Sequence, residues 1–120
     1  LRLMPTLEYL DLSGPQRTDS GLWSVSLTAK GVAAVATLGN LRDLRIGGTN
    51  VTALSLEELR RGLPKLERLS LHRARRITDE AVAVLREWKS LRELDLKETA
   101  VTEKGAQDLR ASLPNCVVRN

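Results

Sequence analysis

Apolar residues fall in the order LxxLxL four times along the 120-residue chain: Leu7-Glu-Tyr-Leu-Asp-Leu, Leu41-Arg-Asp-Leu-Arg-Ile, Leu66-Glu-Arg-Leu-Ser-Leu and Leu91-Arg-Glu-Leu-Asp-Leu, with Ile46 in the last slot of the second. The stretches begin 34, 25 and 25 residues apart. Alternation of this kind predicts a short strand with one buried face, and a fixed period of this length predicts an array of stacked units. Behind each strand comes a second apolar set: 27, 32, 35 and 38, then 51, 56, 59 and 63, then 77, 82, 85 and 88, then 101, 106, 109 and 113. The last three members of each set lie three or four residues apart, which predicts a helix burying one narrow stripe.

Cap signals agree with this division. Thr28, Thr78 and Thr102 follow the anchors Leu27, Ile77 and Val101 and can accept a backbone N–H bond. Ser55-Leu-Glu-Glu58 has the spacing of a capping box. Gly39, Gly62 and the Leu-Pro pairs at 63–64 and 113–114 are expected to stop or bend the chain after a helix. Each unit therefore reads strand, turn, helix, return. It cannot bury its own faces and must stack on its neighbours, with parallel strands about 4.8 Å apart.

The first unit departs from the others. Fourteen residues separate its strand from Leu27, and residues 13–26 read as a loop insertion rich in Ser, Gly and Pro that carries Leu22, Trp23 and Val25. Met4-Pro5-Thr6-Leu7 aligns with Leu63-Pro64-Lys65-Leu66, but no helix precedes it. The expectation is a single domain, 1–120, that forms the C-terminal part of a longer chain.

These motifs resemble the leucine-rich repeat family from Leu7 to Cys116. The third unit, running through Ala74 and Ile77, is similar to the cysteine-containing class found in the substrate-recognition arms of F-box proteins. The second and fourth place Thr49 and Thr99 at the Ala74 position and read LxxLxLxxTxVT. With the tail Leu113-Pro-Asn-Cys116, they look more like bacterial repeat proteins. The resemblance implies a right-handed α/β solenoid of about four repeats, with a parallel sheet on the concave side and helices on the convex side. It implies a non-catalytic module for protein–protein interaction. The alternatives are a structural or capping segment of a larger chain or assembly, and a recognition arm attached to a separate effector domain.

Composition narrows the remaining choices. Apolar residues make up 42% of the chain with no Phe, which suits a thin core of Leu, Val and Ala. One cysteine, Cys116, excludes an internal disulfide and leans toward a reducing compartment such as the cytoplasm, without fixing the localisation. It is read as the buried equivalent of Leu66 and Leu91. No apolar run approaches the ~18 residues of a membrane helix. One His and one Cys exclude a zinc cluster, Gly47-Gly48-Thr49 lacks a phosphate-loop frame, and no cofactor or small-molecule substrate is implied.

Candidate binding residues follow from the alternation. Side chains between the leucines point away from the core in columns: Tyr9, Asp43, Arg68 and Glu93; Asp11, Arg45, Ser70 and Asp95; Ser13, Gly47, His72 and Lys97. A flanking column, Glu8, Arg42, Glu67 and Arg92, alternates in sign and can pair across strands. This face could equally be a self-neutralised solvated surface. Trp23 is either a partner anchor or a cover for the core. Arg73, Arg75 and Arg76, with His72 and Lys97 nearby, form a possible patch for an anionic partner, and the net charge of +4 permits one. Nucleic acid is disfavoured because no stacking aromatics accompany the patch. Ser70, His72 and Asp95 form the one conceivable Ser-His-Asp set, on a face that offers neither oxyanion hole nor enclosed pocket.

Overall fold

In a computed structural model, described for residues 7–12, 15–18, 21–24 and 29–120 (for 15–18, 21–24 and 29–30 the backbone alone), five short strands form one parallel sheet. They are β1 (Tyr9–Asp11), β4 (Asp43–Arg45), β5 (Arg68–Ser70), β6 (Glu93–Asp95) and β7 (Val117–Arg119), side by side in that order. Helices α1 (Ala29–Val35), α2 (Ala53–Gly62), α3 (Val82–Leu85, entered through a 3₁₀ turn at Asp79–Ala81) and α4 (Glu103–Ser112) connect them, each packed on the next. The result is a mixed α/β fold with an open parallel sheet.

The register explains the leucine spacing. Leu10 pairs with Leu44, Leu44 with Leu69, Leu69 with Leu94, and Leu94 with Val118. A parallel sheet brings equivalent positions of successive strands together, so one apolar residue per strand builds a continuous buried column. Leu44, Leu69 and Leu94 are buried, as are Ile46, Leu71 and Leu96 two residues on and Leu41, Leu66 and Leu91 three residues before. The helical stripes close the other side, with Leu56 and Leu59, Val82 and Leu85, and Ala106 and Leu109 all buried. The anchors Val51, Ile77 and Val101 are buried too. Leu7, Leu10 and Leu12 are only half-buried against this core.

Polar groups inside the turns are satisfied locally. Thr49 donates its hydroxyl to the Ile46 carbonyl (2.5 Å) and Thr99 does the same to Leu96 (2.7 Å). Ala74 fills the equivalent place with a methyl group. Trp88 stands where the other units have Leu38, Leu63 and Leu113, and its Nε1–H donates to the Leu63 carbonyl at 3.1 Å, which removes the cost of burying the indole. Gly48, Arg73 and Glu98, at 25-residue intervals, all take positive φ (75°, 66° and 60°). The turn after each of these strands therefore demands a left-handed residue, and in two units an arginine and a glutamate bear that cost.

Three sequence expectations change. Residues 13–26 were expected to be loop. Pro15–Thr18 (β2) and Gly21–Ser24 (β3) instead form a two-stranded antiparallel ribbon, in which Gln16 pairs with Trp23. Thr52, not Ser55, caps α2: the helix begins at Ala53, and the Ser55 hydroxyl reaches back to the Thr52 amide at 3.4 Å. Gly62 ends α2 as expected, and it also serves the packing of the helix. It is the last residue of α2, and a β-carbon there would lie 2.1 Å from the Ala36 carbonyl oxygen, so α1 and α2 approach through a glycine. Finally, β7 is a fifth strand that no LxxLxL motif announces. Thr78 and Thr102 do cap, accepting from Glu80 N–H (3.3 Å) and Gly105 N–H (3.2 Å). Leu27, Thr28 and Val25 lie outside the described residues, as do 1–6.

At the last unit the Val118 carbonyl accepts from Arg110 Nη2 (3.1 Å) and Nε (3.4 Å), and Arg110 in turn pairs with Glu103 at 3.6 Å. An arginine thus covers an edge-strand acceptor that would otherwise be open to another chain.

One carboxylate ties two units together. Asp79 accepts the Thr102 amide at 2.8 Å and the Thr102 hydroxyl at 2.7 Å. These bonds hold its pKa below the ordinary aspartate value. The native state therefore favours the ionised form. The stabilisation is complete above the unfolded-state pKa of about 3.9 and is lost as pH falls through the lower native value. Asp79→Asn should flatten the acid limb of a stability–pH profile measured by urea denaturation below about pH 5; an unchanged slope would show that the contact contributes nothing.

The columns carry the larger energy. Burying each leucine is worth ~1.5–3 kcal/mol against a net stability of ~5–15 kcal/mol for a domain. Leu69→Ala should cost about 2–5 kcal/mol in urea unfolding, and Leu69→Asp should abolish the cooperative transition. Leu54→Ala, at a side chain 84% exposed, should shift stability by less than about 0.5 kcal/mol.

Candidate functional site

Because the leucines of β1, β4, β5, β6 and β7 turn inward, the residues flanking them turn outward in two rows. The first row is Tyr9, Asp43, Arg68, Glu93 and Val117; the second is Asp11, Arg45, Ser70, Asp95 and Arg119. Both expected columns are therefore assembled in register, and each gains a member from β7. Val117 and Arg119 were missed because β7 has no leucine motif. A signal was present, since Leu113-Pro-Asn-Cys116 repeats the return Leu63-Pro-Lys-Leu66 that leads into β5. Val117, Val118 and Arg119 then alternate exposed, buried, exposed. The pairing of Leu94 with Val118 spans 24 residues instead of 25, because one residue separates Cys116 from Val118 where two separate Leu91 from Leu94.

Asp43 organises the centre of the face. Its carboxylate lies 3.5 Å from Arg45 Nε and 4.0 Å from Arg68 Nη1, and only 14% of its side chain is exposed. Arg68 also reaches Glu93 at 3.7 Å. Arg45 stands with its guanidinium carbon 5.4 Å from the centre of the Tyr9 ring, a cation–π contact. The hydrogen bond from Arg45 to Asp43 raises the arginine's pKa further. A shallow depression of about 170 Å³ runs across this face between Asp43, Arg45, Arg68, Glu93, Asp95 and Arg119, with Ser70 in its floor. Tyr9 and Val117, about half exposed, sit at the two ends of the first row. The centre is thus charged and internally paired, and the exposed apolar surface lies at the margins.

The third column departs from the strand face. His72 Nε2 meets Glu98 Oε2 at 2.8 Å, and Arg73 Nε approaches the same oxygen at 3.3 Å. Glu98 is consequently held below the ordinary glutamate pKa, mainly by the His72 contact and then by Arg73. Lys97 donates its backbone N–H to Asp95 Oδ1 at 3.0 Å. Among the described residues no hydrogen bond joins Ser70, His72 and Asp95, so the set is not linked as a relay. The patch of Arg73, Arg75 and Arg76 is divided: Arg73 is engaged by Glu98, whereas Arg75 and Arg76 are exposed and form no ion pair among the described residues. Glu98 was overlooked because the sequence does not show that its left-handed backbone brings it to His72. Ser13 lies outside the described residues. Trp23 contributes its backbone to the β2–β3 ribbon, apart from the main sheet, and its side chain is outside the described residues.

The alternating column pairs in part. Arg42 bridges Glu8 (3.6 Å) and Glu67 (2.5 Å), but Arg92 makes no ion pair among the described residues. Cys116 takes the place of Leu66 and Leu91: its amide bonds to Leu113 as theirs do to Leu63 and Trp88, and it is buried. Burial, with a contribution from Glu93, pushes its thiol up to about 11, which leaves it protonated at neutral pH. Among the described residues no group of three His, Cys, Asp or Glu side chains could hold a metal ion, and no helix is long and apolar enough to cross a membrane. No protein-family model matches the sequence.

Proposed function

We propose that this chain is a leucine-rich-repeat solenoid of about four repeats, right-handed, that binds another protein through its concave sheet face without catalysis. The observation that supports this most is the in-register pair of outward rows across five parallel strands. A stiff backbone holds each side chain at a fixed spacing from the next, which is what a partner surface needs for repeated contacts. Arg45, Arg68 and Tyr9 are of the residue types that dominate protein interfaces. Asp11, Asp43, Glu93 and Asp95 add the opposite sign, and such alternation selects partners by complementarity more than by raw affinity. Ser70 stands within the second row, His72 and Lys97 follow its strands, and Trp23 on the ribbon is assigned as an aromatic anchor.

A second reading, as a capping segment of a larger assembly, draws support from the way Arg110 covers the Val118 carbonyl at the outer edge of the sheet. The two readings diverge in what they require of the rows.

Arg45→Ser with Arg68→Ser removes two side chains that are 49% and 61% exposed, so the fold should survive with an unchanged circular dichroism spectrum. A partner cross-linked to the wild-type chain should bind this variant about tenfold or more weakly, and adding Trp23→Ala should weaken it further. Arg61→Ser on α2 should leave binding within about twofold. Equal binding by the row variant and the wild type would contradict recognition through this face.

A further inference from the structure

A second charged surface lies apart from the two rows, where each helix returns to the next strand. Arg42, Lys65, Glu67, Lys89, Ser90 and Arg92 line a groove of about 320 Å³ there. Its charges are unequal. Glu67 is engaged by Arg42, which also holds Glu8. Lys65 Nζ donates to the neutral Asn40 Oδ1 at 3.1 Å, and Ser90 gives its hydroxyl to the Leu66 carbonyl at 2.6 Å. Lys89 and Arg92 form no ion pair among the described residues, and both are exposed. One arginine thus uses both carboxylates, and three cations face the groove without one. The sheet face behaves differently, because there Arg45 and Arg68 find carboxylates on their own or adjacent strands.

The alternation of the flanking column explains the surplus. Glu8, Arg42, Glu67 and Arg92 alternate along neighbouring strands, and the column then meets Cys116, the residue before β7, which offers no carboxylate to Arg92. Lys65 and Lys89 add a positive charge to two successive returns.

We infer that this groove binds an acidic stretch of a polypeptide, with its carboxylates meeting Lys65, Lys89 and Arg92. Three observations choose that occupant. Carboxylates already seat among these side chains, as Glu67 and Glu8 do on Arg42. Lys65 belongs to one return and Lys89 and Arg92 to the next, about 4.8 Å away across the sheet, so a run of carboxylates can meet them in succession. No aromatic side chain lines the groove, so bases have no surface on which to stack. This inference does not rest on the sheet face being a binding surface.

The test is fluorescence anisotropy with a labelled peptide of consecutive glutamates, beside the same peptide in glutamine. The glutamate peptide should bind about tenfold or more tightly than the glutamine one and weaken as salt shortens the screening length. Lys89→Gln with Arg92→Gln should reduce its affinity about tenfold, and Arg75→Gln with Arg76→Gln should change it by less than about twofold. Amide shifts on titration should gather at 65–67 and 89–92. Equal binding of the two peptides, or an equal loss in both variants, would overturn the site. A single-stranded oligonucleotide binding more tightly than the glutamate peptide, or phosphate displacing it at equal concentration, would overturn the occupant. Both variants alter exposed side chains, and a retained cooperative unfolding transition excludes misfolding as the cause of any loss.

Discussion

The alignment of Leu44, Leu69 and Leu94 on adjacent parallel strands is the constraint from which the remaining features follow. Parallel pairing leaves no freedom in register once one face must be dry, because a slip of one residue would turn every leucine to water. It also sets the chain length between strands. A helix has to cross the sheet and return, and about 25 residues accommodate a three-residue strand, a turn, a helix and a bend. The same alignment fixes what is displayed. Every outward side chain acquires a neighbour of the same position one strand away, so pairs such as Arg42 with Glu67 and Arg68 with Asp43 are consequences of the stacking.

Much of this was legible in the sequence, because side-chain period and motif spacing report directly on a buried face. The anchors Val51, Ile77 and Val101, the helical stripes and both outward columns are where the pattern puts them. What the pattern missed has local physical causes. β7 is hidden because its one inward residue is Val118, which follows Cys116 one residue sooner than Leu94 follows Leu91. The β2–β3 ribbon is hidden because Gly and Pro are shared by loops and by tight antiparallel turns. The start of α2 was misplaced by three residues because Thr52 and Ser55 are both capable caps, and only the backbone decides between them. The fate of His72 and Arg73 depended on Glu98, whose contact is made by a left-handed turn and not by strand alternation.

Charge is distributed unevenly over the resulting surface. On the sheet face, Asp43 sits between two arginines and Arg68 between two carboxylates, so the rows hold their own counter-charges. At the strand starts, the groove beside Lys89 and Arg92 does not. Each exposed pair contributes little to stability, at most about 1 kcal/mol. Their effect lies in directing approach and rejecting mismatched partners. A mild overall excess of +4 therefore conceals one balanced surface and one cationic one.

The account depends on successive strands presenting the same residue to the same side. Methyl-labelled NMR in solution measures this directly. Nuclear Overhauser contacts should link Leu44 to Leu69 and Leu69 to Leu94, with Leu94 continuing to Val118. Contacts that instead join these methyls out of register, or their absence in a folded sample, would contradict the stacked columns and the outward rows built on them.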